Sequence, residues 1–237
     1  EIYKQFADDI TKNNIIITYP ALERMVELSE KLIQERVLPD KALDILNRSV
    51  TSVQSGSKLV NSDVVEKEIS VMTNIPSENF TQDEAEKLLN IEEEMQKICI
   101  GQDHVVRQIG SALRRARAGI RNENKPIASF LFVGTTGVGK TQTAKALAQT
   151  YFGDKKAMIR IDMSEYQQLD SINRLIGTPD GKNKGILTEA VRTKPFSLIL
   201  LDEIEKAHPN ILLLFLQVLD EGMLTDSSGM SFSFTNT

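Results

Sequence analysis

The chain has 237 residues, 41% of them hydrophobic and 26% charged, with 28 Lys and Arg against 33 Asp and Glu and a net charge of −5. That composition supports a packed core, and its acidic balance argues against a non-specific nucleic-acid binder, which needs a basic surplus. One cysteine, Cys99, and two histidines exclude an internal disulfide and a Cys/His zinc site, and no apolar run reaches the roughly 18 residues of a membrane span. The first residue is Glu1, with no charged-then-apolar leader after it, so the expectation is an excerpt of a longer, cytosolic-type protein.

The first ~75 residues read as successive helices. Leu22, Met25, Val26, Ser29, Leu32 and Ile33 follow helical spacing behind Thr18 and Pro20, a helix start. Ile15–Thr18, just before it, is a β-branched run. Pro39-Asp40 opens a second helix with the stripe Leu43, Leu46, Val50 and Val53, which Ser55-Gly56-Ser57 breaks. A short strand at Lys58–Val60 and a third helix capped by Asn61, carrying Val65, Ile69 and Met72, complete this part. Ile75-Pro76-Ser77 reads as a boundary. Thr81–Glu84 then matches a capping box before a helix through Leu88, Leu89, Ile91 and Met95. The next helix carries Val106, Ile109, Leu113 and Ala116, with Gly119 as its stop.

From residue 129 the pattern changes. Ser129–Val133, Ala157–Ile161 and Ser197–Leu201 are continuous apolar runs of the kind a strand buried on both faces needs. Helical stretches separate them, which predicts an α/β domain with a parallel sheet.

Two motifs carry chemistry. Gly134-Thr135-Thr136-Gly137-Val138-Gly139-Lys140-Thr141 fits the phosphate-loop pattern, directly after a predicted strand and at the start of a helix containing Ala144, Leu147 and Ala148. Its glycines let backbone N–H groups point at phosphate oxygens, and the helix adds its positive amino end. Lys140 then reaches the outer phosphates and the Thr141 hydroxyl ligates Mg2+. Asp202 and Glu203 end the third apolar run. Asp202 is placed to hold the metal through its water shell, and Glu203 to orient and deprotonate an attacking water.

Other features have plainer readings. Arg114, Arg115, Arg117 and Arg121 read first as a solvated helix face, with contact to nucleotide or a neighbouring subunit second. His208 before Pro209 reads as a loop cap, Cys99 as a small buried hydrophobe, and Ile211–Leu216 as helix core.

Several segments recur in order in one known family. They are Cys99–Gln102, Arg114–Gly119, the phosphate loop, Asp162–Tyr166, Leu187–Arg192 and Asp202–Pro209. In them the chain resembles the second ATPase module of the Clp unfoldases, the ClpA, ClpB and ClpC group of AAA+ proteins. Leu38–Ala42 and Ile75-Pro76 resemble the end of that group's first module. The resemblance implies a small all-helical lid subdomain of the first module over 1–78, a linker helix over 79–98, and the large P-loop α/β subdomain of the second module over 99–237, incomplete at its C-terminal end. It places the Cys99-Ile100 backbone against adenine and implies ATP or ADP with Mg2+ as ligands. It further implies a homo-hexamer that threads unfolded or aggregated protein, a ClpP-like peptidase partner for the peptidase-coupled members, no nucleic acid and no membrane, in the cytoplasm or an organelle of bacterial ancestry. The short connection from Val53 to Asn61 resembles ClpA, since it has no room for a coiled-coil middle domain.

The chain departs from the family at three places. Thr135 or Thr136 stands where the family usually has Pro. Gly177–Gly185 is shorter than the family's segment and lacks its aromatic substrate-gripping pore loop, which is taken as residues omitted from a flexible tip. The sequence ends at Thr237, before the family's next sheet strand, sensor asparagine and arginine finger. A gap in the sheet and weak turnover by this chain alone are therefore expected. The competing readings are a non-catalytic assembly or regulatory scaffold and, third, a nucleic-acid P-loop motor.

Overall fold

The computed structural model describes residues 14–33, 37–53, 58–73, 83–116 and 124–237. They fall into two units, Glu1–Thr81 and Gln82–Thr237.

In the first unit β1 (Ile16–Ile17) pairs in parallel with β2 (Leu59–Val60), Ile16 opposite Leu59. Between them run α1 (Tyr19–Leu32) and α2 (Asp40–Val53), and α3 (Ser62–Thr73) follows. The helix starts lie where the sequence puts them. The Thr18 hydroxyl accepts the Ala21 N–H at 3.4 Å, and Pro20 occupies the first turn, where a missing N–H costs nothing. Asn61 Oδ1 accepts the Val64 N–H at 3.1 Å. Met25, Leu28, Ile45, Leu46, Val65 and Ile69 are buried. The α2 stripe is wider than the spacing implies: Ala42, Ile45 and Ser49 are buried with Leu46 and Val53, while Leu43 and Val50 are only half-buried. The reason is that α2 packs on both α1 and α3. The expected break at Ser55–Ser57, the boundary at Ile75-Pro76, the side chains of the Thr81–Glu84 capping box, the Gly119 stop and Arg117 and Arg121 lie outside the described residues.

The second unit opens with α4 (Asp83–Ile98) and α5 (Asp103–Arg115). They are followed by α6 (Lys140–Tyr151), β3 (Met158–Asp162), α7 (Ile172–Ile176), α8 (Ile186–Thr193), β4 (Leu198–Asp202), α9 (Pro209–Glu221), β5 (Met223–Thr225) and β6 (Ser231–Ser233). β3 and β4 pair in parallel, with Arg160 opposite Leu200 and Asp162 opposite Asp202. Adjacent strand residues face opposite ways, and the two faces pack differently. Ile159, Ile161, Ile199 and Leu201 meet Leu187, Val191, Ile211 and Phe215. Leu198 joins the other cluster, with Met95, Ile109, Leu147 and Tyr151. α4, which falls in the expected linker helix over 79–98, is thus part of this unit, through buried Leu88, Ile91 and Met95, whereas Leu89 is exposed. Ile211 is fully buried beneath β4. Ile211→Ala should therefore destabilise the unit by about 2–5 kcal/mol, read by chemical denaturation of the chain.

One predicted strand is corrected. Residues 129–133 form no strand, and Phe130, Leu131 and Val133 are exposed. An apolar run reports suitability for burial, but a strand needs a neighbour to bond. Among the described residues none lies beside this run, and β4 pairs on one edge only, with β3. The sequence reading also missed the β5–β6 hairpin, whose turn is held by Asp226 Oδ1 accepting the N–H groups of Ser228 and Met230.

The stretch 177–185 forms a closed turn. The Thr178 N–H bonds the Asn183 carbonyl at 2.9 Å, and the Asn183 N–H bonds the Thr178 hydroxyl at 3.1 Å. At its neck a Cβ on Gly185 would lie 2.3 Å from the Leu175 carbonyl oxygen and 2.6 Å from the Gly177 nitrogen. Gly185→Ala should cost about 1–3 kcal/mol in the same denaturation measurement, because only backbone can give way.

The plainer readings hold only in part: His208 caps, but Arg114 is tied to α4 rather than solvated, and the Ile211–Leu216 run is only half core. His208 Nδ1 accepts the Asn210 N–H at 3.2 Å at the head of α9. Arg114 pairs with Glu92 of α4 and donates to the Leu88 carbonyl. The Ile211–Leu216 run is core on one face only: Ile211 and Phe215 are buried, while Leu213 and Leu216 are exposed.

Candidate functional site

The phosphate-pattern loop owes its shape to two left-handed glycines, Gly137 at φ 85° and Gly139 at φ 96°. A side chain at either would carry the strain of that conformation. Gly139 is the N-cap of α6 and offers no side-chain bond to the helix, and the first bonded amide is that of Thr143, to the Gly139 carbonyl at 2.9 Å. The N–H groups of the first turn are thereby left for an external acceptor, and the helix dipole favours an anion there. Lys140 Nζ curls over the loop and donates to the carbonyls of Gly134 at 2.6 Å and Thr135 at 3.0 Å. Thr141 follows it in the first turn.

Asp202 ends β4 and shares a sheet face with Leu198, the face against which α6 packs. The C-terminal half of α6, Leu147 and Tyr151, clusters with Phe196 and Leu198 at the start of β4. α6 therefore runs antiparallel to β4, and a 12-residue helix of about 18 Å and a five-residue strand of about 16 Å are matched in length. This brings the amino end of α6, with Lys140 and Thr141, to the same end of the layer as Asp202 and Glu203.

Glu203 has φ 53° and ψ 42°, a left-handed backbone in a non-glycine residue, and it begins the turn Ile204–Lys206. Such a conformation costs about 1–2 kcal/mol and is concentrated at functional positions. Lys206 Nζ donates to Glu203 Oε2 at 2.6 Å, and that bond raises the lysine's pKa. Arg160 donates from Nε at 3.1 Å and Nη2 at 2.7 Å to Asp202 Oδ2. Asp162 lies in register beside Asp202, but its Oδ1 takes the hydroxyl and N–H of Ser164, which hold its carboxyl below the usual range.

The proposed adenine segment sits close by. Cys99 is buried and its thiol donates to Thr143 Oγ1 of α6 at 3.8 Å, whereas Ile100 is 92% exposed. A cavity of about 430 Å3 opens between α5, residues 129–133 and the loop, lined by Gln102, Val105, Ile109, Phe132, Val138 and Lys140 among others. Neither Cys99 nor Ile100 lines it. The sequence reading passed over Gln102, whose Nε2 donates to the Val138 carbonyl at 2.6 Å and ties α5 to the loop. It also passed over Arg160, although a lone charge in the apolar run Met158–Ile161 was a visible signal.

The donor set fits a magnesium nucleotide. Among the described residues no cluster of three His, Cys, Asp or Glu side chains could cage a metal. Mg2+ is ordinarily held by one or two carboxylates together with substrate phosphates, which asks only for a group such as Asp202 opposite a phosphate cradle.

The chain is similar to known proteins along its whole length. The family described as AAA domain (Cdc48 subfamily) matches residues 125–237, and the AAA lid domain matches 11–99. Chaperone protein ClpB of Aquifex aeolicus is 52% identical over 188 residues, 78% of this chain and 19% of that protein. Chaperone protein ClpC2, chloroplastic, of Oryza sativa is 41% identical over 245 aligned residues, 100% of this chain and 27% of that protein. A closed-state cryo-EM reconstruction of Hsp104 with ATPγS and FITC casein matches with a TM-score of 0.82 and 34% identity, covering 99% of this chain and 42% of that one. The chain thus spans about a fifth to a quarter of those two curated relatives. Matched by an AAA lid model and an AAA domain model and similar along its length to ClpB and Hsp104, the chain belongs to the Clp group of AAA+ proteins.

Proposed function

We propose that this chain binds and hydrolyses ATP as part of a ring-forming protein unfoldase or disaggregase. What supports this most is the packing of the C-terminal half of α6 beside Leu198 at the start of β4, which directs its uncapped amino end toward the end of the layer where Asp202 and Glu203 stand. In this reading the loop amides of Gly134–Gly139 and the first-turn amides of α6 hold the phosphates. Lys140 exchanges its loop carbonyls for the outer phosphates. Thr141 and Asp202 hold Mg2+, which neutralises charge developing on the phosphates. Glu203 orients a water and takes its proton. Cys99 and Ile100 support the base from the side of Thr143. The homo-hexamer, the protein substrates and a ClpP-like peptidase are carried over from the family. Among the described residues no helix is long and apolar enough to cross a membrane, and the relatives are bacterial and chloroplastic.

Isothermal titration of the chain with magnesium ATP tests the reading: a single exothermic site is expected, and no binding overturns it. One observation favours a second reading, a nucleotide-binding assembly part that does not itself grip substrate. The closed turn at 177–185 has no aromatic residue and instead exposes Lys182 and Lys184.

A further inference from the structure

We propose that Arg160 is a positioning residue for the magnesium of the bound nucleotide: it fixes the Asp202 carboxylate through one oxygen and leaves the other to the metal's water shell. This assignment rests on the nucleotide reading above.

The register makes the contact. Arg160 lies opposite Leu200 in the parallel β3–β4 pair, so it shares a face with Asp202 and stands one diagonal step behind it. A diagonal neighbour is within reach of a side chain as long as arginine. An arginine and a carboxylate commonly pair through both oxygens, two parallel N–H bonds from one fork. Here Nε at 3.1 Å and Nη2 at 2.7 Å converge on Oδ2 alone. Among the described residues no hydrogen bond is made to Oδ1. The carboxylate is thereby held in one orientation with one oxygen spare, on the face that α6 covers with its amino end toward Asp202.

Neighbouring charged groups are committed elsewhere. Lys206 is bonded to Glu203 at 2.6 Å, and Asp162 Oδ1 is taken up by Ser164. Among the described residues Arg160 is therefore the cation hydrogen-bonded to Asp202, and its charge also reaches Asp162. A role in stability explains the pair poorly. The Arg160 side chain is 54% exposed and that of Asp202 25%, and ion pairs this open to water add little to stability. Groups that orient a metal's carboxylate matter far more to the metal: removing one typically weakens metal affinity 10–100-fold.

The test measures binding of a fluorescent ATP analogue to the chain across a range of free Mg2+ set with EDTA. For Arg160→Met, the Mg2+ concentration giving half of the metal-dependent gain in affinity should rise about 10–100-fold. Binding without Mg2+ and the melting temperature should stay close to those of the unaltered chain. Arg160→Lys, which keeps the charge but not the fork, should recover part of the loss. An unchanged Mg2+ requirement overturns the assignment. So does a lowered one, which would make Arg160 a competitor of the metal. An equal loss of binding with and without Mg2+, accompanied by a fall in melting temperature, would show a structural role and overturns it too. If the unaltered chain binds no nucleotide under either condition, the nucleotide reading fails first and takes this inference with it.

Discussion

Glu203→Gln should keep magnesium ATP bound and lower turnover about 10²–10⁴-fold, the contribution of a well-placed general base, equivalent to about 3–5 kcal/mol of barrier. The amide retains the size of the carboxylate and still orients a water, but it cannot accept the proton. The exchange leaves untouched the backbone bond from the Lys206 N–H to the Glu203 carbonyl at 2.9 Å, which closes the turn Ile204–Lys206 behind its left-handed backbone. The Lys206 bond at 2.6 Å weakens from charge-assisted to neutral, which leaves Lys206 a half-exposed surface cation. Binding by titration and turnover by phosphate release separate the two effects. The comparison is made on single-turnover rates. Hydrolysis unchanged by Glu203→Gln would remove Glu203 from the role of base.

Lys140→Ala should weaken nucleotide binding roughly a hundredfold or more. A hydrogen bond to a charged group is worth about 1.5–3 kcal/mol, and a lysine reaching two phosphate oxygens loses two of them, where 1.4 kcal/mol is a factor of ten. The fold should be spared. Among the described residues the Lys140 ammonium bonds only the carbonyls of Gly134 and Thr135, both in an exposed loop. Water can replace these bonds, so the melting temperature without nucleotide should hardly move. The measurement is the rise in melting temperature on adding magnesium ATP, present in the unaltered chain and lost in the variant. A variant with full affinity would mean that the amides of the loop and α6 hold the phosphates unaided.

Much of the site was legible from residue types in order. A phosphate loop needs glycine where φ is positive, a lysine and a hydroxyl next to it, and a helix behind it. All are local requirements, and Gly137, Gly139, Lys140 and Thr141 meet them within one stretch of chain. Helix starts were legible for the same reason: Thr18, Asn61 and His208 cap through bonds only two or three residues away.

What pairs across the chain was not legible. Residues 129–133 have the composition of a buried strand and are exposed, because pairing depends on a neighbour and not on the run itself. The Leu/Phe run of α9 was read as core throughout, but a helix surface is shared between two environments, and Leu213 and Leu216 fell on the open one.

The sequence by itself determined which groups the chain brings to the proposed phosphate site and the helix–strand alternation that carries them, since these follow from side-chain chemistry and short-range backbone geometry. Only the tertiary structure decided that Arg160 belongs to Asp202, that Gln102 braces Val138 and that Lys206 answers Glu203. The first two depend on strand register and helix packing, and the third on a turn geometry that spacing does not encode.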